Sequence, residues 1–167
     1  PALREAEGVV TVACHSEPLF AGLFHAPGEN ASQNAEGLWV VSIEKGGSLG
    51  RHYGVAVDVG TTTVAVFLVD LATGEVLGMR SDYNGQLACG VDVISRIDYA
   101  RRAGGREELR RRVLKTINRL IGALADQDGL VPQDIGCAVV SGNTTMIHLL
   151  LGLDPEFLRL DPFIPSV

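Results

Sequence analysis

Residues 54–70 read GVAVDVGTTTVAVFLVD. An almost unbroken apolar run enters Asp58-Val59-Gly60-Thr61-Thr62-Thr63, and a second apolar run leaves it. Strand-length runs on both sides leave only about two residues to reverse the chain, which predicts a tight hairpin. Gly60 supplies free backbone at the reversal, and Thr61, Thr62 and Thr63 supply hydroxyls and amides at its tip. Asp58 puts a carboxylate in a strand that otherwise has no reason to hold a charge. A carboxylate beside amide and hydroxyl donors suits a metal-bound phosphate, with Mg²⁺ near Asp58 and phosphoryl oxygens against the turn. The ordinary alternative is a threonine-rich hairpin that binds nothing.

Working outward, the second run ends in the turn Ala72-Thr73-Gly74-Glu75, and residues 76–79 form a third strand. A polar loop over 81–90 follows. Asp92 then caps a helix with apolar positions Val93, Ile94, Ile97 and Ala100. A break at Gly104-Gly105 precedes a helix over about residues 107–125, striped by Leu109, Val113, Ile117, Leu120 and Leu124. Glu107 and Glu108 in its first turn suit the helix dipole. Pro132 falls in the next loop, residues 134–141 read as a short buried strand, and Gly142, Asn143 and Thr144 open a third helix through Leu151. The order β-β-β-α-α-β-α predicts an α/β fold with a mixed sheet and flanking helices.

Upstream, residues 1–6 read as a helix end and residues 9–13 as a strand. Residues 17–36, rich in Gly, Pro, Asn and Ser, form a long loop or hairpin connection. Residues 38–43 are a second strand, and a glycine-rich turn over 45–50 separates it from the main domain. The predicted division is therefore residues 1–52 and 53–167.

The 167-residue chain is long enough to bury a sizeable core. Its net charge of -6 gives no bulk attraction to nucleic acid. No apolar run reaches a membrane-spanning length, and the N-terminus is no signal peptide. The missing initiator Met points to an internal fragment. Cys14, Cys89 and Cys137 are odd in number and include no Cys-x-x-Cys pair, which argues against a disulfide framework or an iron–sulfur site here and suits the cytoplasm. Cys137 reads as a small core residue.

Two further groups admit two readings each. Arg101, Arg102, Arg106, Arg110, Arg111, Arg112, Lys115 and Arg119 make a basic set that either meets an acidic partner or forms a solvated helix face. The lack of interleaved aromatics favours the solvated face. Ser141-Gly142-Asn143-Thr144-Thr145 is either an anion-binding helix start or an ordinary cap. His148, among Ile147, Leu149 and Leu150, reads as a packed histidine.

The stretch Val57-Asp58-Val59-Gly60-Thr61-Thr62-Thr63 resembles the first phosphate loop of the acetate and sugar kinase, heat-shock chaperone and actin superfamily. Asn84-Gly85-Gln86, Gly90-Val91-Asp92-Val93-Ile94-Ser95-Arg96-Ile97 and Ser141-Gly142-Asn143-Thr144-Thr145-Met146 narrow the likeness. They resemble the reductive activators of corrinoid-dependent enzymes, over roughly residues 52–165.

The resemblance implies that residues 53–167 are the first half of an actin-type, ribonuclease H-like ATPase domain with a five-stranded type of sheet, and that residues 1–52 are the tail of a linker. It implies ATP and Mg²⁺ as cofactors, with Asp58 at the metal. Gly60, Thr61, Thr62 and Thr63 would lie against phosphate, and Gly142, Asn143 and Thr144 would face the same cleft. A two-iron, two-sulfur domain is expected upstream, with none in this fragment. The complete protein would use ATP to return the cob(II)alamin of a corrinoid protein or methyltransferase to cob(I)alamin. The region from Asn84 to Arg96 would lie near the nucleotide domain or meet the corrinoid partner.

The second half of the domain is missing from these residues, so the fragment alone is expected to bind nucleotide poorly and to be nearly inert. An open apolar face, with residues 146–151 and Phe163-Ile164-Pro165 as its exposed surfaces, predicts a symmetric homodimer. The rival readings are a small-molecule kinase of the same superfamily and a non-catalytic dimerisation module.

Overall fold

The computed structural model describes residues 10–15, 39–45, 52–130 and 134–165. The helix end expected over residues 1–6, the loop over 17–36, the turn over 46–50 and Pro132 lie outside the described residues. The chain divides into two compact units, residues 1–51 and 52–167.

In the first unit, β1 (Val10–His15) pairs antiparallel with β2 (Trp39–Lys45). Their register runs from Val10 opposite Lys45 to His15 opposite Trp39, with an irregularity between Ala13 and Cys14. Both strands fall within about two residues of the sequence expectation.

The second unit is built on a four-stranded mixed sheet of order β5-β4-β3-β6. Strands β3 (Tyr53–Val59), β4 (Thr63–Asp70) and β5 (Val76–Tyr83) form an antiparallel meander, and β6 (Ile135–Gly142) returns parallel to β3. The expected β-β-β-α-α-β-α order is observed, and four strands of the five-stranded type are present among the described residues. Val59 pairs with Val64, and Gly60 N–H donates to the Thr63 carbonyl at 2.9 Å, leaving Thr61 and Thr62 as the two reversing residues. The tight hairpin read from the sequence is thus found.

Three helices follow: α1 (Val93–Ala100), α2 (Gly105–Gln127) and α3 (Thr144–Leu151). Asp92 caps α1 through a reciprocal box. Its Oδ1 accepts from Ser95 N at 2.7 Å, and its own N–H donates to Ser95 Oγ at 3.1 Å. The Ser95 N–H bond, before other contacts, holds the Asp92 carboxyl below its usual 3.8. The stripe Leu109, Val113, Ile117, Leu120 and Leu124 of α2 is buried throughout, as its spacing requires. It meets Val55, Val57, Val59, Val64, Val66 and Leu68, the alternate residues on one sheet face. Met146 and Leu149 of α3 complete the same core. At the α1–α2 joint the Tyr99 hydroxyl donates to Glu108, which also accepts from Arg112 at 2.7 and 2.9 Å. The bond to Glu108, before all else, pushes the Tyr99 hydroxyl up to about 12.

Three sequence expectations need correction. Strand β6 lies at the edge of the sheet among the described residues and is not buried as expected: Val139 is 46% exposed, and Cys137 is half-buried rather than in the core. An apolar run does not reveal whether a strand has neighbours on one side or both. Ile94 is 53% exposed, and Arg96 takes the buried place expected of it on α1. Met146 and Leu149 are fully buried against α2, so α3 is open only toward its end, where Leu151 is 44% exposed, whereas Phe163 and Ile164 are exposed as expected.

Most of the basic set is paired with carboxylates of the same unit. Arg101 meets Glu156, Arg106 meets Asp154, Arg110 meets Glu107, Arg112 meets Glu108 and Arg119 meets Asp82. Exposed pairs of this kind add little stability, but they account for the charges as a solvated helix face. No described helix is long and apolar enough to cross a membrane.

Candidate functional site

Strands β3 and β6 run parallel and end side by side, with Asp58 opposite Ser141 and Val59 opposite Gly142. The hairpin tip leaves β3 at that end, and α3 leaves β6 there after only Asn143. The two segments singled out from the sequence, Asp58 to Thr63 and Gly142 to Thr144, therefore share one edge of the sheet. This is the carboxyl end of parallel strands, where α/β sheets bind ligands.

Side chains connect the two segments. Ser141 Oγ donates to Asp58 Oδ1 at 3.4 Å, and Asn143 Nδ2 donates to Thr61 Oγ1 at 3.1 Å. Asn143 also caps α3, its Oδ1 accepting from Met146 N at 3.0 Å. The cap and the link to Thr61 coexist because the two ends of the Asn143 amide face different partners. Gly142 is confined by this closeness: a Cβ there would lie 2.8 Å from the Val59 carbonyl oxygen. Asp58, Thr62, Thr63, Ser141, Asn143 and Thr144 are exposed, and Thr61 is half-buried.

Behind the tip lies a polar cluster that the sequence did not single out as such. Asn84, Gln86 and Arg96 are each 0% exposed. Asn84 Nδ2 donates to the Gly60 carbonyl at 2.9 Å, and Asn84 N–H donates to the Thr62 carbonyl at 2.8 Å. Arg96 Nη2 donates to the Thr61 carbonyl. Its Nε donates to the Gly90 carbonyl at 2.9 Å, and its Nη1 reaches Gln86 Oε1 and Met146 Sδ, each at 3.1 Å. Gln86 Nε2 in turn donates to the Leu109 carbonyl at 3.1 Å. Burial holds the Arg96 guanidinium below its usual pKa. Every segment that carried the sequence resemblance thus meets in one knot: the hairpin tip, the Asn84 turn, the start of α1 and the start of α3.

The knot narrows one expectation. Asn84, Gln86 and Arg96 are enclosed and offer no surface to a partner, whereas Val91 and Asp92 of the same region are exposed. His148 is packed as expected, at 4% exposure with its Nδ1 2.8 Å from the Thr144 carbonyl. The signal for Arg96 was present in the sequence, since it shares a helix face with Val93, Ile97 and Ala100. An arginine flanked by such positions is either snorkelling or interior, and periodicity does not separate the two.

The site's donor set fits a magnesium-bound phosphate chemically. One exposed carboxylate suffices where phosphate and water complete a Mg²⁺ shell, and hydroxyls and amides suit phosphoryl oxygens. No group of three or more His, Cys, Asp or Glu that could hold a metal ion occurs among the described residues.

The chain is similar to a corrinoid activation enzyme, RamQ of Eubacterium limosum, with 41% identity over 115 residues. That match covers 67% of this chain and 19% of the relative. A solved structure described as a reductive activator for corrinoid, iron-sulfur protein superposes with a TM-score of 0.72 at 49% identity. It covers 76% of this chain, and this chain spans 20% of it. Residues 53–167, the whole of the segment that forms the sheet, the knot and the shared edge, match the RACo middle region, and the chain belongs to that family.

Proposed function

We propose that this chain is the phosphate-holding part of an ATP-dependent reductive activator. In this reading the complete protein returns the cob(II)alamin of a corrinoid protein to cob(I)alamin. The names of the relatives, a corrinoid activation enzyme and a reductive activator, support the reaction class. The observation that carries the phosphate role is the shared edge: Asp58 and the threonine tip stand beside Asn143 at the carboxyl ends of two parallel strands.

Asp58 holds Mg²⁺, and Thr61, Thr62 and Thr63 hold phosphoryl oxygens through amides and hydroxyls, while Gly60, whose N–H is spent on the Thr63 carbonyl, shapes the turn rather than donating to the ligand. Gly142, Asn143 and Thr144 close the same cleft from β6, with Asn143 steadying the Thr61 side chain. When bound, Mg-ATP supplies the driving force for an electron transfer that is otherwise uphill. The chain's own residues contribute position and charge neutralisation, which is most of what phosphoryl chemistry asks of a protein. The electron's route is assigned to no residue of this chain.

Calorimetry of the complete protein tests the metal and phosphate roles together. Asp58→Ala is expected to weaken Mg-ATP binding by about tenfold or more, or ~1.4 kcal/mol. Unchanged affinity would remove Asp58 from the site.

A further inference from the structure

A buried guanidinium without a carboxylate partner is costly, because an arginine in the interior needs either an ion pair or a full set of hydrogen bonds. Arg96 takes the second course. No ion pair involves it among the described residues, and its donors go to the carbonyls of Thr61 and Gly90, to Gln86 Oε1 and to Met146 Sδ. Asn84 adds two more bonds to the same turn, at the Gly60 and Thr62 carbonyls. Three consecutive carbonyls at the hairpin tip are therefore held from inside the protein.

That arrangement dictates where the amides point. In a planar trans peptide the N–H lies opposite the C=O of the same unit. The Gly60 carbonyl shares its peptide with Thr61 N–H, and the Thr61 carbonyl shares its peptide with Thr62 N–H. With both carbonyls turned toward Asn84 and Arg96, both amides face away from the knot, on the exposed side of the tip. Consecutive outward amides make an anion-binding concavity, and the Arg96 charge behind them adds to its preference for anions.

We propose that Arg96 and Asn84 are positioning residues for phosphate: they hold the tip carbonyls inward so that the Thr61 and Thr62 amides meet phosphoryl oxygens. This rests on the phosphate reading given above and names what fixes its geometry. Neither residue touches the ligand. Met146, bonded to Arg96 and placed by the Asn143 cap, ties the same brace to the second segment of the site.

The test uses the complete protein with Arg96→Lys, which keeps the charge and loses the fork, and Asn84→Ser, which shortens the second brace. Each variant is checked for folding by thermal unfolding. Affinity is then measured for Mg-ATP by calorimetry and for adenosine as a competitor. Loss of one charged hydrogen bond that orients the tip predicts that Mg-ATP binding falls about tenfold. Adenosine, which has no phosphate to meet the tip, should change by less than about twofold. A merely structural role lowers the unfolding temperature and leaves that ratio alone. Should Arg96→Lys fail to fold, Asn84→Ser decides the matter. Folded variants that bind Mg-ATP like the wild type overturn the positioning role while the phosphate reading stands. Equal losses for both ligands also overturn it. Wild-type protein that fails to bind Mg-ATP, or is indifferent to Asp58→Ala, overturns the phosphate reading and this proposal with it.

Discussion

Leu68→Ala is expected to destabilise the chain by about 2–5 kcal/mol, the range for truncating a fully buried leucine. Leu68 is 0% exposed on β4 and belongs to the core between the sheet and α2. Its cross-strand neighbour on β5 is Gly78, which carries no side chain to fill the space. Leu124 lies over that glycine, 3.1 Å from where a Cβ would stand. Chemical denaturation of wild type and variant measures the destabilisation, and a loss below about 1 kcal/mol would contradict the packing described.

The second large effect is expected at the hairpin tip. In Gly60→Ala the new Cβ would stand 2.6 Å from the Thr63 carbonyl oxygen, the same atom that accepts the Gly60 N–H bond. The obstacle is backbone rather than a flexible side chain, so the turn itself must open. Opening it pulls the Gly60 and Thr61 carbonyls from Asn84 and Arg96. A strained turn of this kind costs on the order of 1–3 kcal/mol of stability. Mg-ATP affinity of the complete protein should fall further than in Asp58→Ala, because every donor at the tip is displaced together. Thermal unfolding and calorimetry read the two effects separately. A variant with wild-type stability and affinity would show that the tip tolerates a side chain.

Features set by neighbouring residues were legible in the sequence. The hairpin followed from two apolar runs with too little chain between them to do anything but reverse. The α2 stripe followed from helical spacing, and the Asp92 and Asn143 caps from residue type and place. Features set by partners far along the chain were not legible. Arg96 bonds to Thr61 and to Met146, residues separated from it by 35 and 50 positions. No local pattern announces that a polar side chain will find its acceptors at that distance. For the same reason Ile94 read as interior: it fits helical spacing as well as Val93 does, and only the acceptors waiting for Arg96 decide which face of α1 turns inward. Strand β6 illustrates the same limit, since its apolar run is equally consistent with a central strand and with the edge it occupies.

For the site, residue types alone offered Asp58 to Thr63 and Gly142 to Thr144 as two separate candidates, and only the family resemblance placed them on one cleft. Their juxtaposition needed the parallel pairing of β3 with β6, a contact between residues some eighty positions apart, such as Ser141 with Asp58. The exposed half of the site was thus readable from residue types, while the enclosed half that orients it was not.

In the proposed function, the tip and the start of α3 hold one phosphate-bearing ligand between them. Backbone amide exchange on the complete protein, followed with and without Mg-ATP, tests it most directly. Slowed exchange is expected at Thr61 and Thr62 together with residues 142–146, and is lost in Asp58→Ala. Slowed exchange elsewhere in the chain, with both segments unchanged by Mg-ATP, would contradict it.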